Sequence, residues 1–231
     1  MGKAAELKPS RLHFIDETAA TLSMMCRYGR ARRGARARGY VPLGRWQVLT
    51  IIGDLTLQGV GPVLTFEGVT NGERIETYVR EGLLPILKPD DVVVMDNLSV
   101  HHRPAVEALI RSREAHLLFL PPYSPDLNPI KSCWLKVKTR LRAIGARTHA
   151  ALIQAMREAI STVLPQAPAA WFSYCGYPPQ PPRSPLSLGM CKPSVLHRPP
   201  GASPSERRVG DFLNRFVHTC QMGGTFSCGA P

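Results

Sequence analysis

The sequence predicts an α/β protein, a mixed sheet with helices on its faces. Three observations predict it. Short runs of β-branched and apolar residues alternate with longer segments whose apolar residues recur every three to four positions, in the order strands, helix, strand, helix, strand, helix. The run "VVVM" at 92–95 is apolar on both faces, as the central strands of such sheets are. Periodicity stops after Tyr177, where prolines crowd positions 178 to 204. A segment of that kind cannot bury enough apolar surface to offset its ordering entropy, so residues 178–231 are expected to be a disordered tail.

The elements follow in chain order. "LHFID" (12–16), "RWQVLTIIGDL" (45–55) and "GPVLTFEG" (61–68) read as strands broken by Gly, Asp and Pro. "NGERIETYVREGLLPIL" (71–87) is helical, with Ile75, Tyr78, Val79 and Leu83 on one face. "DDVVVMDN" is the central strand, and "RPAVEALIRSR" is a helix that starts near Pro104 and buries Val106, Leu109 and Ile110. "HLLFLPP" is a strand stopped by two prolines. A helix follows Asn128, which is expected to cap it, with Pro129 in its first turn and Trp134, Leu141 and Ile144 on its apolar face. "HAALIQAMREAISTVL" (149–164) is the last long amphipathic helix. A short helix is expected around "RRVGDFLNRFV" (207–217). Trp46 and Trp134 are read as core residues.

The chain has 231 residues, with 29 Lys+Arg against 17 Asp+Glu and a formal net charge of +12. That excess points to a polyanionic partner, of which nucleic acid is the commonest. The six cysteines form no C-x-x-C pair and no disulfide framework. "MGKAAELKPSRLHFIDE" lacks the apolar core of a signal peptide, and residue 6 is Leu, so the myristoylation pattern fails. No window approaches the roughly 18 uncharged apolar residues of a membrane span. A cytoplasmic protein with reduced thiols is expected.

Two acids stand where the pattern ends its strands: Asp16 closes "LHFID" and Asp96 closes "VVVMD". Buried carboxylates need a charged partner, and two at one end of a sheet would repel unless a divalent cation lay between them. Mg²⁺ and Mn²⁺ are hard ions suited to such oxygen ligands. Strand alternation points Glu17 to the opposite face from Asp16, which counts against it as a ligand. Each Asp alone is as well explained by loop capping. His101 and His102 cannot share a helical face, and no Cys or acid is spaced in sequence to complete a zinc site with them; neither is assigned a catalytic role.

"FIDET", "VVVMDNLSVHH", "LLFLPPYSPDLNPIKSCWLKVKTRLR" and "WFSYCGY" together resemble bacterial insertion-sequence transposases of the mariner-like superfamily, over residues 11–177. The resemblance implies a ribonuclease-H-like catalytic domain of the DDE type, after a flexible N-terminus at 1–10. It implies catalytic positions at Asp16, Asp96 and Lys131, a two-metal site for Mg²⁺ or Mn²⁺ with Asp16 and Asp96 as ligands, DNA as partner, action as a dimer or larger assembly, and a bacterial, nucleoid-associated location. The family's third acid is the Glu of "NPIE"; here it is Lys131, separated from Asp96 by 34 residues, the spacing of the family. The family's N-terminal end-recognition region has no counterpart in these residues, and the tail resembles nothing in the family.

Position 131 also conflicts with local physics. Counted from Asn128 it is the third helical residue, where an acid would suit both capping box and macrodipole, and a lysine costs about 0.3–1 kcal/mol. Glu to Lys turns a three-carboxylate site of charge −3 into one of −1. The ammonium is then expected to stand in for the metal by pairing with Asp16 and Asp96. Competing readings are a Lys131 directed to solvent and a site rescued by Asp126. The expected activity is DNA strand cleavage and transfer impaired or abolished at Lys131; the alternatives are a non-catalytic DNA-binding remnant or regulator and a poorly folding pseudogene product.

"RYGRARRGARARG" (27–39) carries Arg27, Arg30, Arg32, Arg33, Arg36 and Arg38 and no acid. Guanidinium groups pair with phosphates and follow a backbone without reading sequence. Lys136 and Lys138, with Arg140, Arg142 and Arg147, follow Lys131 and extend the candidate DNA surface; a solvated hairpin and an ordinary amphipathic helix are the plainer explanations.

Overall fold

The computed structural model describes residues 8–40 and 47–179. Trp46, the expected helix at 207–217 and nearly all of the proline-rich tail lie outside the described residues. Five strands form one mixed sheet in the order β3-β2-β1-β4-β5: β1 (Leu12–Thr21), β2 (Val48–Thr56), β3 (Gly59–Glu67), β4 (Val92–Met95) and β5 (His116–Phe119). β1 pairs antiparallel with β2, and β2 with β3, while β1, β4 and β5 run parallel. The helices are α1 (Gly72–Tyr78), α2 (Pro104–Arg111), α3 (Ile130–Ile144), α4 (His149–Ser161) and α5 (Ala167–Tyr174).

Side-chain alternation sorts the core into two layers. Leu12, Phe14, Val92 and Val94 face α3, α4 and α5; Ile15, Val93 and Met95 face α1 and α2. The expected stripe of Ile75, Tyr78, Val79 and Leu83 is buried as read, although after Tyr78 the helix widens into a π-turn over Val79–Leu83. In α2 the buried residues are Val106 and Ile110. Asn71 caps α1 by accepting from the Arg74 amide at 3.0 Å, and Thr148 caps α4 by accepting from Ala151 at 3.2 Å. α3 stops at Gly145 in the left-handed conformation (φ 64°).

Two contacts fix the layer beneath the site. A Cβ on Gly53 of β2 would meet the Trp134 ring at 2.8 Å, so only glycine lets α3 lie this close to the sheet. Phe14 meets Phe172 edge-on at a centroid distance of 5.2 Å and Tyr177 at 5.1 Å. Residues through Tyr177 therefore belong to the core.

Candidate active site

Asp16 is the fifth residue of β1 and does not end the strand, as the apolar run had implied. β2 supplies partners from Leu55 to Val48, which extends β1 to Thr21. On the other side β4 has four residues, and its pairing with β1 stops at Phe14↔Val94. Continuing that register brings Asp96, the residue after β4, level with Asp16. The β-strand that ends is β4, and its end opens the space in front of Asp16.

Lys131 closes that space. The 3-10 turn Pro125–Leu127 brings the chain back from β5, and α3 begins at Ile130. Lys131 is thus its second residue, not its third, and Asn128 does not cap the helix: its extended backbone (φ −114°, ψ 96°) closes the preceding turn, and its buried Oδ1 has no hydrogen-bond partner. Lys131 Nζ donates to Asp16 Oδ1 at 2.6 Å. The carboxylate is 1% exposed, and its Oδ2 has no hydrogen-bond partner. Burial pushes the Asp16 carboxyl up to about 6, against the pull of Lys131 and helped by the charges of Glu17 and Asp96. The expected pairing of Lys131 with Asp16 is present, whereas Asp96 feels Lys131 only through its charge.

Asp96 takes a different partner. His101, in the 3-10 turn Ser99–His101, is 1% exposed. Its Nδ1 lies 3.1 Å from the Asp96 carbonyl oxygen and 2.7 Å from Asp96 Oδ1, and its Nε2 lies 2.8 Å from Glu17 Oε1. Nδ1 thus faces both oxygens, the carbonyl as a hydrogen-bond acceptor and Oδ1 as an ion-pair partner. Burial alone would lower the His101 pKa; the hydrogen bonds to Asp96 and Glu17 outweigh it and push it up to about 10. For Asp96, burial acts upward, but His101 and then Lys131 win, and its pKa is lowered.

Glu17 and His101 are the residues that sequence reasoning missed. Alternation does place Glu17 opposite Asp16, but the turn after β4 carries His101 around the strand end to meet it. Donor atoms of Glu17, Asp96 and His101 all lie within 4.8 Å of one another. No sequence spacing shows this, because the acids come from two strands. Asp126 stands elsewhere: its charge acts on Cys175 and Tyr177, at the end of α5.

The arginine segment is exposed throughout residues 27–39. Its root is fastened to the end of α3: Arg147 Nη1 donates to the carbonyls of Leu22 (2.9 Å) and Met24 (2.8 Å), and Cys26 Sγ to that of Arg142 (3.6 Å). Lys138, with its pKa lowered by burial and then by Arg142, Lys131 and Arg27, marks where the segment meets the helix; Asp16 acts on it in the opposite sense. Arg27, Lys131 and Asp16 are thus close enough to Lys138 for their charges to act on it, and Lys136 lies on α3 between Lys131 and Lys138.

A mixed five-stranded sheet with Asp16 within β1, Asp96 just after β4, and the start of α3 opposite them defines a ribonuclease-H-like fold. The chain belongs to the DDE superfamily endonuclease family, which it matches over residues 11–153. Its fold is similar to a pre-cleavage Mos1 transpososome (14% identity, TM-score 0.57, 74% of this chain and 53% of that one) and to the Mos1 mariner paired-end complex with Mn (16%, 0.56, 75% and 54%). It is also similar to the catalytic domain of Mos1 mariner transposase (15%, 0.53, 74% and 78%). The chain thus spans about half the length of the Mos1 chains in the DNA complexes. No curated protein matches it. Among the described residues no helix is long and apolar enough to cross a membrane.

Proposed function

We propose that this chain is the catalytic domain of a mariner-like DNA transposase, of the bacterial insertion-sequence kind, whose strand-cleavage chemistry is disabled at Lys131. The domain comprises residues 11–177. The observation that carries the reading is the 2.6 Å contact between Lys131 Nζ and Asp16 Oδ1. In an intact relative, carboxylates at 16, 96 and 131 would hold the divalent ions; crystal structures of Mos1 are described with Mg and with Mn. The residues present here do not fit that group. A cation occupies the position of the third ligand and already holds one oxygen of the first. Two unit charges about 4 Å apart interact by roughly 4 kcal/mol at an effective dielectric of 20, and a divalent ion meets twice that repulsion. Even a several-fold discount leaves affinity down by orders of magnitude.

The test is calorimetric titration of Mg²⁺, an ion that takes oxygen ligands, into the natural chain and into Lys131→Glu. Binding by the variant alone, accompanied by Mg²⁺-dependent nicking of duplex DNA, supports the reading. Comparable binding by both would overturn it.

The exposed basic residues Arg27, Arg30, Arg32, Arg33, Arg36 and Arg38, with Lys136 and Lys138 on α3, favour a second activity that survives the loss: sequence-independent DNA binding, by a remnant or regulator acting in the bacterial cytoplasm as a dimer or larger assembly. Its signature is affinity that falls steeply with salt and drops when the arginines of residues 27–39 are replaced.

A further inference from the structure

We propose that Glu17, Asp96 and His101 form a binding site for one divalent transition-metal ion of the zinc type, displaced around the strand end from the carboxylate position that Lys131 blocks. The proposal rests on the reading of Lys131 just given, because only a blocked position leaves Asp96 to this second set.

Four features of the structure support it. The donors are of the right kinds: two carboxylates and one imidazole, drawn from β1, the end of β4 and the turn that follows, within 4.8 Å of one another. The ring is already oriented as metal-bound imidazoles are. Its Nδ1–H is held by the Asp96 carbonyl oxygen at 3.1 Å, which presents Nε2 to Glu17. Asp96 Oδ1 is buried and, beyond its 2.7 Å ion-pair contact with His101 Nδ1, has no hydrogen-bond partner, so it keeps a lone pair for an ion. A further buried acid is within electrostatic reach: Asp16 is 1% exposed, its Oδ1 is held by Lys131, its Oδ2 has no hydrogen-bond partner, and its carboxyl feels the charges of both Glu17 and Asp96.

Donor type selects the ion. Mg²⁺ demands an octahedral shell of oxygens, whereas Zn²⁺ accepts a mixed nitrogen and oxygen set with four-fold coordination. Ligand distances of roughly 2.0–2.2 Å mean that donors sharing one ion lie within about 4.2 Å of each other, so closure needs shifts of only about an ångström. Glu17 can supply them, since its side chain is partly exposed. The ion enters as Nε2 gives up to solvent the proton it shares with Glu17, so one H⁺ leaves for each ion bound and the His101–Glu17 hydrogen bond is replaced by two ligand bonds.

The experiment is competition titration of Zn²⁺ against a chromogenic chelator, using the full chain under reducing conditions, with Co²⁺ as an absorbing substitute. The natural chain is expected to bind one Zn²⁺ with micromolar affinity, and its Co²⁺ form to lack thiolate charge-transfer absorption. Glu17→Gln and His101→Gln are each expected to weaken Zn²⁺ binding at least tenfold. Glu17→Gln is the deciding variant, since His101 is buried and its replacement can disturb folding; circular dichroism in EDTA confirms that each variant is folded. No stoichiometric binding by the natural chain, unchanged affinity in folded Glu17→Gln, or a thiolate band in the Co²⁺ spectrum would each overturn the proposal. Mg²⁺ binding by Lys131→Glu is read separately, so either claim can fail alone.

Discussion

At one end of the β1–β4 pair, His13 lies between two carboxylates, with Nδ1 2.9 Å from Asp54 Oδ2 and Nε2 3.5 Å from Asp91 Oδ2, while Arg11 reaches Asp91 at 3.3 Å and the Pro89 carbonyl at 2.7 Å. At the other end, Asp16 meets Lys131 and Asp96 meets His101. Both ends bury acids against cations, and both leave carboxylate oxygens without a hydrogen-bond partner: Asp54 Oδ1 at the first, Asp16 Oδ2 and Asp96 Oδ1 at the second. They differ in how the cation arrives. His13 is a short side chain inside the sheet, 8% exposed, and joins residues of three strand segments. Lys131 comes from a helix on a flexible stem, with 42% of its side chain exposed, and can leave for solvent without moving the backbone. The first cluster is therefore a structural clamp, and the second is a site whose cation can be exchanged.

Asp54→Ala should break that comparison most visibly. It strands the His13 ring between one acid and a hole, and removing one partner of a buried pair costs about 3–5 kcal/mol. For a chain of this size the melting temperature should fall by roughly 6–20 °C. Differential scanning calorimetry checks this; a fall of a degree or two would mean the clamp holds nothing.

Gly61→Ala sharpens the same point from the outside. A Cβ there would meet Asp54 Oδ2 at 2.6 Å, and that oxygen is fixed by His13. Overpacking of this kind costs about 1–3 kcal/mol, so a melting shift of roughly 2–12 °C is expected. Stability unchanged by the extra methyl would show that Asp54 can move aside.

The clamp also predicts a pH dependence. Burial lowers the His13 pKa, but Asp54 and then Asp91 raise it above 6.5 in the balance. The folded chain holds this proton more tightly than the unfolded one. Its contribution is complete below about pH 6.5 and is lost as pH rises through the folded pKa, with a slope of at most about 1.4 kcal/mol per pH unit. His13→Gln should remove that part of the slope. His101 acts in the same direction, so the difference between variant and natural chain is the quantity to measure in urea titrations from pH 6 to 9. Parallel curves would mean that His13 binds its proton no more tightly in the fold.

Much of this was legible in the sequence because apolar periodicity reports burial directly. The central run 92–95, the helix stripe of Ile75, Tyr78, Val79 and Leu83, and the place of Asp16 and Asp96 near one end of the sheet all follow from it. The cross-strand polar contacts did not. His13 and Asp54 each sit singly in an apolar run, and only the pairing of β1 with β2 shows that they touch. Alternation turns Glu17 away from Asp16, and only the turn after β4, which no spacing in the sequence reveals, carries His101 to it. Asn128 looked like a helix cap by residue type, but the proline-rich approach set its backbone first.

The smallest effect tests the exchangeable cation. Asp16→Asn removes the ion pair with Lys131, yet partly exposed pairs contribute only about 0–1 kcal/mol. It also removes a carboxylate that burial already pushes up to about 6, so the lost pair is offset by the lost cost of burying charge. At pH 7.5 the melting temperature should change by no more than about 4 °C. Lys131→Met should cost more than Asp16→Asn, because it leaves the acid buried without its cation, whereas the lysine freed by the other change simply extends into water. The double variant should then sit close to Asp16→Asn, and this ordering separates the two ends of the β1–β4 pair: at the clamp, loss of either partner is severe. If Asp16→Asn proves as damaging as Asp54→Ala, Lys131 is a structural element of the fold, and its place at the position of a third acid has a different cause from the loss of the family's chemistry.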